Sequence, residues 1–572
     1  MKTAAFLSKN FNARGLLMAG TAFAALMSPV AVLGQSAVSP AAAAADRRDA
    51  RIDALEADLK RVEAELRALR QPSQSSASAA VTPAPPETPT SAATAGLGQN
   101  LVASSDKGAG SSKNSGPNGN PRIFGPGIPT TGNVSSIDAG RPVVNSADGR
   151  FTANLLGVMQ FDVANYFQDK AGPLSTDLRR AGAAADNARG RNLSNGSTFR
   201  RARIGLGGRA FGDFEYSVLF DFGGSGLEDN GHIQELWFQY SGWKPAHIRV
   251  GAFAPFIGLE DAGSTNGMLF LERPASADIA RSLAGGDFRE AGQLTVNTDH
   301  LFVSAAITGR LVNTGGASSV QPYNSQLGFI GRIAALPYKD KDNLIHVGLH
   351  GSYVAHPADA SGPDAAANAI RYPIQLRERP ELRVDGTRLI DTSSINADHA
   401  YTVGAEAAFQ HKNLMLQSEY ERIGIQRYAS ALSDPDFHGF YVEGSWIITG
   451  QTRRYNNGNF AFDGPRVDGS FNPTQNNWGA WELALRYSDT ELNYHAGASG
   501  SAPVADAVRG GDQHILTAGL NWYLNSIMRV MLDYQHVHIS RLSPNATTFV
   551  TPVGADIGQT YSAGSMRFQL AF

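Results

Sequence analysis

Cysteine is absent from all 572 residues. That excludes a disulfide framework, a thiolate nucleophile and any cysteine-built metal site. Beyond the N-terminal segment, no stretch approaches the ~20 consecutive apolar residues that a transmembrane helix needs. A membrane form of this chain therefore has to be a closed barrel, the other structure that satisfies its backbone hydrogen bonds internally. Charge is sparse at 18%, with a formal net of −3; removing Lys2, Lys9 and Arg14 with a cleaved leader takes it to about −6. With no basic excess, nucleic acid is not an expected partner. Neither a lipase-type Gly-x-Ser-x-Gly nor a metalloprotease His-Glu-x-x-His occurs, and no catalytic set emerges, so an enzyme is not expected.

What is present begins with Lys2, Lys9 and Arg14 ahead of an apolar run from Leu16 to Leu33 that ends near Gly34. This reads as a secretory signal peptide over residues 1–34, since Gly20, Pro29 and Gly34 weaken a spanning helix. From Asp46 to Arg70, Ile52, Leu55, Leu59, Val62, Leu66 and Leu69 recur three and four apart between mixed charges. Such a narrow a/d seam predicts a short coiled coil over 46–70, trimeric if the rest of the chain is. Residues 71–150 are rich in Ser, Ala, Pro, Gly and Thr and poor in large apolar side chains, which predicts a disordered linker. Gly108, Gly110, Ser111, Ser112 and Lys113 within it lack the strand, the helix and the Gly-Lys-Ser/Thr ending of a phosphate loop.

From about Phe151 the period changes to two. Phe214, Tyr216, Val218, Phe220 and Phe222 share one face while Glu215, Ser217 and Asp221 share the other. The last stretch alternates Met566, Phe568, Leu570 and Phe572 with Ser565, Arg567, Gln569 and Ala571. Repeated segments of this kind are the signature of a transmembrane barrel, and an aromatic last residue agrees with it. Connections alternate short and long, with long ones over 168–197, 254–291, 355–398, 491–512 and 539–558; short turns face the periplasm in such barrels. The count predicts an all-β, 16-stranded antiparallel transmembrane β-barrel over 151–572. Residues 450–478 form a long connection where a short turn is expected.

Several stretches stand out: Phe199-Arg200-Arg201-Ala202-Arg203-Ile204-Gly205-Leu206, Val250-Gly251-Ala252-Phe253-Ala254-Pro255-Phe256, Glu272-Arg273-Pro274, Arg377-Glu378-Arg379-Pro380-Glu381, Trp481-Glu482-Leu483-Ala484-Leu485-Arg486-Tyr487 and Gly519-Leu520-Asn521-Trp522-Tyr523. In their joint order across 151–572 they resemble the phosphate-selective porin O and P family. The resemblance implies an outer-membrane porin of a Gram-negative cell, usually a homotrimer, with inward-folded loops that narrow an anion pathway.

Strand parity turns Ala202, Ile204 and Leu206 to lipid and Arg201, Arg203 and Arg209 to the lumen, because charge at the lipid-facing midplane costs roughly 2–4 kcal/mol. Gly205 and Gly207, also inward, are expected to leave open space between those charges. The connection 254–291, with Arg273, Arg281 and Arg289, is expected to fold inward as the constriction, and 355–398, with Arg377, Arg379 and Arg383, to extend a cationic funnel. Forked guanidinium donors suit oxyanions. After the linker only Lys170, Lys244, Lys339, Lys341 and Lys412 occur, so a lysine-built phosphate site is not expected. His346 and His350 lie four apart on a strand, where they make a poor metal pair; no cofactor or metal is expected. The leading expectation is a porin, embedded in outer-membrane lipid, for small anions such as phosphate or polyphosphate. Two others stand beside it: a general or sugar-permeable porin, and an envelope tether whose coiled coil in the periplasm, 46–70, meets periplasmic partners or peptidoglycan while the barrel anchors it.

Overall fold

A computed structural model of the chain describes Lys60 and residues 134–138, 140–168, 192–226, 230–286, 289–312, 322–364, 366, 369–544 and 553–572. The expected signal segment, the coiled coil apart from Lys60, and the linker up to residue 133 lie outside the described residues.

Two short strands, β1 (Val134–Asp138) and β2 (Arg141–Asn145), form a hairpin, and β2 pairs with the start of β3 (Thr152–Phe167). This hairpin falls inside 71–150, where a linker was expected throughout. The hairpin has a local cause: Ile137, Val143 and Val144 suit strands, and β3 offers an edge that satisfies the backbone of β2.

From β3 the wall continues antiparallel through β4 (Gly196–Ala210), β5 (Phe214–Asp221), β6 (His232–Tyr240), β7 (Ala246–Phe253), β8 (Arg289–Asn297), β9 (Leu301–Leu311), β10 (Leu327–Lys339) and β11 (Asn343–His356). The next connection carries β12 (Pro373–Ile374), β13 (Arg377–Glu378) and β14 (Ile390–Asp391). Then come β15 (Ile395–His411), β16 (Leu414–Arg427) and β17 (Asp436–Ile447). A separate hairpin of β18 (Arg453–Asn456) and β19 (Ala461–Pro465) precedes β20 (Ala480–Tyr494), β21 (Val508–Tyr523), β22 (Met528–Ser540) and β23 (Gln559–Ala571). Register between β23 and β3 runs from Ser562↔Phe167 to Ala571↔Val158, which closes a barrel of 16 strands. At the seam Arg567 forks onto Asp162, both bonds at 2.6 Å.

Alternation sorts the two faces. Ile204 and Leu206 are 55% and 51% exposed on the outside while Arg201 is 2% exposed on the inside. Apolar surface left bare in this way on strand after strand is the lipid-facing band of a barrel. Rings gather near the short turns, with Trp481 stacked on Trp522 at 5.1 Å and Phe214 5.1 Å from Tyr240, as interfacial aromatics do.

Three connections lie inside the wall. The first, residues 254–286, carries helices α1 (Leu259–Ala262) and α2 (Ala275–Ala284). Wall residues bond its backbone from several sides: Asn521 Nδ2 donates to Leu269 O at 2.9 Å, Arg529 to Met268 O at 2.8 Å, and Arg486 to Glu272 O at 3.0 Å. The second, 357–394, packs Leu376, Leu382, Val384, Leu389 and Ile390 with Ile279 and Leu283 of α2 against inward-facing Ile423, Ile425, Phe437, Leu492, Ile515, Val537 and Ile539. The third is the β18–β19 hairpin, the long connection at a short-turn end. Arg332 holds it by donating to Asn459 O and Phe460 O at 2.6 and 2.8 Å, and Phe460 and Phe462 join an apolar cluster with Phe256, Leu259 and Phe302.

Gly205 does not open the lumen as expected. A Cβ there would strike the Val218 carbonyl and Leu219 Cα, so the glycine serves the close approach of β5.

Candidate functional site

Between α1, the β18–β19 hairpin and the short-turn ends of β3, β22 and β23 lies a cavity of about 260 Å³. Arg141, Arg203, Arg273, Arg281, Arg454 and Arg529 line it, against Glu235, Asp261 and Asp463. Six guanidiniums face three carboxylates in a chain whose overall charge is negative.

The arginines differ in how much of their charge is already engaged. Arg203 bonds Asp221 at 2.7 Å, Arg454 meets Asp463 at 3.1 Å, and Arg281 bonds Asp261 and lies 3.9 Å from Asp278. Arg273, 5% exposed, reaches only the Glu260 carbonyl, at 3.4 Å. Arg529, 3% exposed, donates to Met268 O, Tyr523 Oη and Gln569 Oε1, and its Nε has no partner. Neither makes an ion pair within 4.0 Å among the described residues. A buried cation without a carboxylate costs several kcal/mol of desolvation unless something else supplies the counter-charge.

The other arginines expected at the pathway sit elsewhere. Arg201 bonds Gln160 at 2.5 Å on the inner face of β4, and Arg209 stands opposite Glu215 in the β4–β5 register. Arg289 donates to three carbonyls, of Gly285, Ser282 and Gly309, at 2.9 to 3.2 Å. In the 357–394 connection Arg379 meets Gly386 O and Glu378, and Arg383 lies 3.2 Å from Glu272 and 3.4 Å from Glu378 while bonding Asp278. Arg377 alone of these three is exposed. In the funnel expected there, Arg379 and Arg383 are engaged by its own Glu378 and by Glu272 and Asp278 of the first connection.

Glu272 is the hub of the loop. Arg200 bonds it at 2.7 and 3.1 Å, Arg567 at 2.9 Å and Arg383 at 3.2 Å. Burial alone would raise its pKa, but Arg200, Arg383, Arg201 and Arg567 hold the carboxyl well below the usual range. Asp278 is likewise lowered: burial opposes ionisation and Arg383 and Arg281 overcome it.

Sequence reasoning missed Arg141, Arg454 and Arg529 as lining residues. Parity was the available signal for Arg529, which alternates with outward Met528 and Val530. Nothing local marked the β18–β19 hairpin, which brings Arg454, as entering the barrel.

A model of the family described as Phosphate-selective porin O and P matches residues 177–572. The chain belongs to that family. Porin O of Pseudomonas aeruginosa is 25% identical over 373 residues, covering 62% of this chain and 79% of the relative. An uncharacterized protein of Caulobacter vibrioides is 26% identical over 525 residues, 91% of this chain and 89% of its own. Among solved structures, the anion-selective porin of Comamonas acidovorans aligns at 13% identity and a TM-score of 0.40, over 74% of this chain and 100% of that one. The trimer form of OmpT of Vibrio cholerae aligns at 11% identity and 0.40, over 74% and 99%. Family and barrel together make the chain an outer-membrane porin, and the cavity above lies within its lumen.

Proposed function

We propose that this porin is a passive channel favouring small anions, phosphate-sized oxyanions among them, and that the arginine-lined cavity is its selective section. The observation that carries this reading is the excess of guanidiniums over carboxylates there, with Arg273 and Arg529 buried and, among the described residues, in no ion pair within 4.0 Å. A passing oxyanion supplies the missing counter-charge and accepts from guanidinium donors that otherwise meet only neutral oxygens. Charge placed at the narrow section of a pore sets which sign of ion passes. With no lysine among the lining residues, the work falls to arginine.

Reversal potentials across planar bilayers under a KCl gradient test the reading. Chloride preference is expected, reduced several-fold in Arg273→Gln and further in Arg273→Gln/Arg529→Gln. Cation preference in the unaltered porin would overturn anion selectivity. Equal permeation of uncharged sugars and anions in liposome swelling would favour a general porin, a reading that the engaged pairs Arg203–Asp221 and Arg281–Asp261 support.

A further inference from the structure

On the inner wall, away from the arginine cavity, histidine and carboxylates from three strands converge. Glu406 of β15 stands opposite Gly348 of β11, midway between His346 and His350, and opposite Glu419 of β16 on its other side. His350 lies over Gly404 and reaches Glu421 Oε1 with Nε2 at 2.6 Å. The two histidines do not face each other as a chelating pair; they flank one carboxylate from the neighbouring strand.

Glycines make this convergence possible. A Cβ on Gly404 would lie 2.6 Å from Glu421 Oε2 and closer still to His350 Nε2. One on Gly348 would strike the Glu406 carboxylate, and one on Gly258 would lie 2.5 Å from Glu419 Oε1. All of the converging side chains are nine-tenths buried or more: His350 6% exposed, Glu406 3%, Glu419 2% and Glu421 2%.

Polar atoms are left over at the centre. His350 Nδ1 has no hydrogen bond, although Glu406 Oε2 is 3.4 Å away, and Glu421 Oε2 has none either. A buried imidazole nitrogen aimed at a carboxylate without a bond is unfavourable unless a ligand completes it. Charge is incomplete too. Arg332, paired with Glu406 at 2.9 Å, is the one arginine or lysine that pairs with these three carboxylates among the described residues, and His350 is the other group that faces Glu406 and Glu421. The ligand atoms of His350, Glu406 and Glu419 lie within 4.8 Å of one another.

We propose that His350, Glu406 and Glu419 hold one divalent transition-metal ion of the Zn²⁺ class. An imidazole nitrogen with two carboxylates is a borderline-soft donor set that suits Zn²⁺ better than Ca²⁺ or Mg²⁺. His346 Nε2 lies 3.1 Å from Glu406 Oε1, and Arg332 holds both oxygens, Oε1 at 2.9 Å and Oε2 at 3.2 Å, which orients the carboxylate with Oε2 3.4 Å from His350 Nδ1. Such outer partners fix the ligands that touch the metal.

The site is coupled to the inward loop. Glu419 accepts hydrogen bonds from Leu259 N and Glu260 N of α1, and from Tyr441 Oη at 2.7 Å. An ion fixing Glu419 therefore also fixes the carboxylate that seats the loop against the wall. Metal occupancy raises the loop's resistance to undocking.

Zn²⁺ titrated calorimetrically into the detergent-purified full chain tests the site. One ion per chain is expected, with affinity at least 10-fold weaker in His350→Gln and unchanged in His514→Ala, which removes the half-exposed Asp489–Asp512–His514 group on the outer face. Equal affinity in the unaltered chain and His350→Gln, or loss of binding in His514→Ala, overturns the proposal. X-ray absorption at the zinc edge on the unaltered chain needs no variant to fold. One imidazole nitrogen near 2.0 Å with carboxylate oxygens is expected; a shell of several imidazoles overturns the assignment.

Discussion

The inner faces of the same strands change character along their length. Toward the long connections β16 turns Ile423 and Ile425 inward, β20 Leu492, β21 Ile515 and β22 Val537 and Ile539, and these bury the 357–394 connection and α2 in an apolar cluster. At mid-height the same four strands turn inward Glu419 and Glu421, Arg486, Thr517 and Asp533. The long-connection end of the lumen is filled by an apolar core, whereas the rest mixes a smaller apolar cluster around the β18–β19 hairpin with buried charge and the arginine cavity. The difference teaches where selectivity can reside. Arginines in the filled half, Arg379 and Arg383, are consumed by Glu378, Glu272 and Asp278, whereas Arg273 and Arg529, facing the cavity, are not.

Removing the ion pair at the seam tests the charged half most severely. Arg567, fully buried, serves Asp162, Glu272 and Leu271 O at once. Arg567→Met leaves two buried carboxylates short of a partner, a loss of about 3–5 kcal/mol. A lower temperature of the folded-to-unfolded shift on semi-native gels is expected, and an unchanged temperature would mean that water already solvates the pair. In the filled half, Leu389→Ala opens a hole in the cluster and costs about 2–5 kcal/mol. There the expected readout is larger and noisier single-channel conductance, because the loop detaches while the wall remains. If conductance stays as it was, the cluster is not what holds the loop down.

Much of this organisation was readable from the sequence, and the reasons for the remainder are physical. Period-two alternation placed Ile204 and Leu206 outside and Arg201 inside because lipid tolerates only one of those faces. That the connection 254–291 folds inward was expected too, in line with the inward-folded loops that the family resemblance implies. Pairing was not: Arg567 and Asp162 are 405 positions apart, and Arg200 meets Glu272 across 72. Nor could alternation reveal that Ile423 and Ile425 face a buried loop, since an apolar inner face and an apolar outer face read alike. His350 looked idle for a related reason. Its partners stand on β15 and β16, and spacing along β11 is blind to them.

The finest test of the comparison uses pH, since the loop joining the two halves is held by Glu272 and Asp278. Both carboxyls are held below their ordinary values of 4.5 and 3.8. For a depressed carboxyl, the unfolded chain binds more protons than the folded one between the two pKa values, so stability rises with pH in that window. The contribution is fully present above the ordinary value and is lost as pH falls through the lowered one. Stability of the unaltered porin in a urea series is therefore expected to vary little with these two groups between pH 8 and 5 and to decline below about pH 4.5. Glu272→Gln lies lower at neutral pH, and the two curves converge in acid as Glu272 protonates and loses its hold on Arg200, Arg383 and Arg567. Parallel curves down to pH 2 would show that the loop is anchored by its apolar cluster alone, and the division of the lumen into a packed half and a charged half would no longer describe what holds it in place.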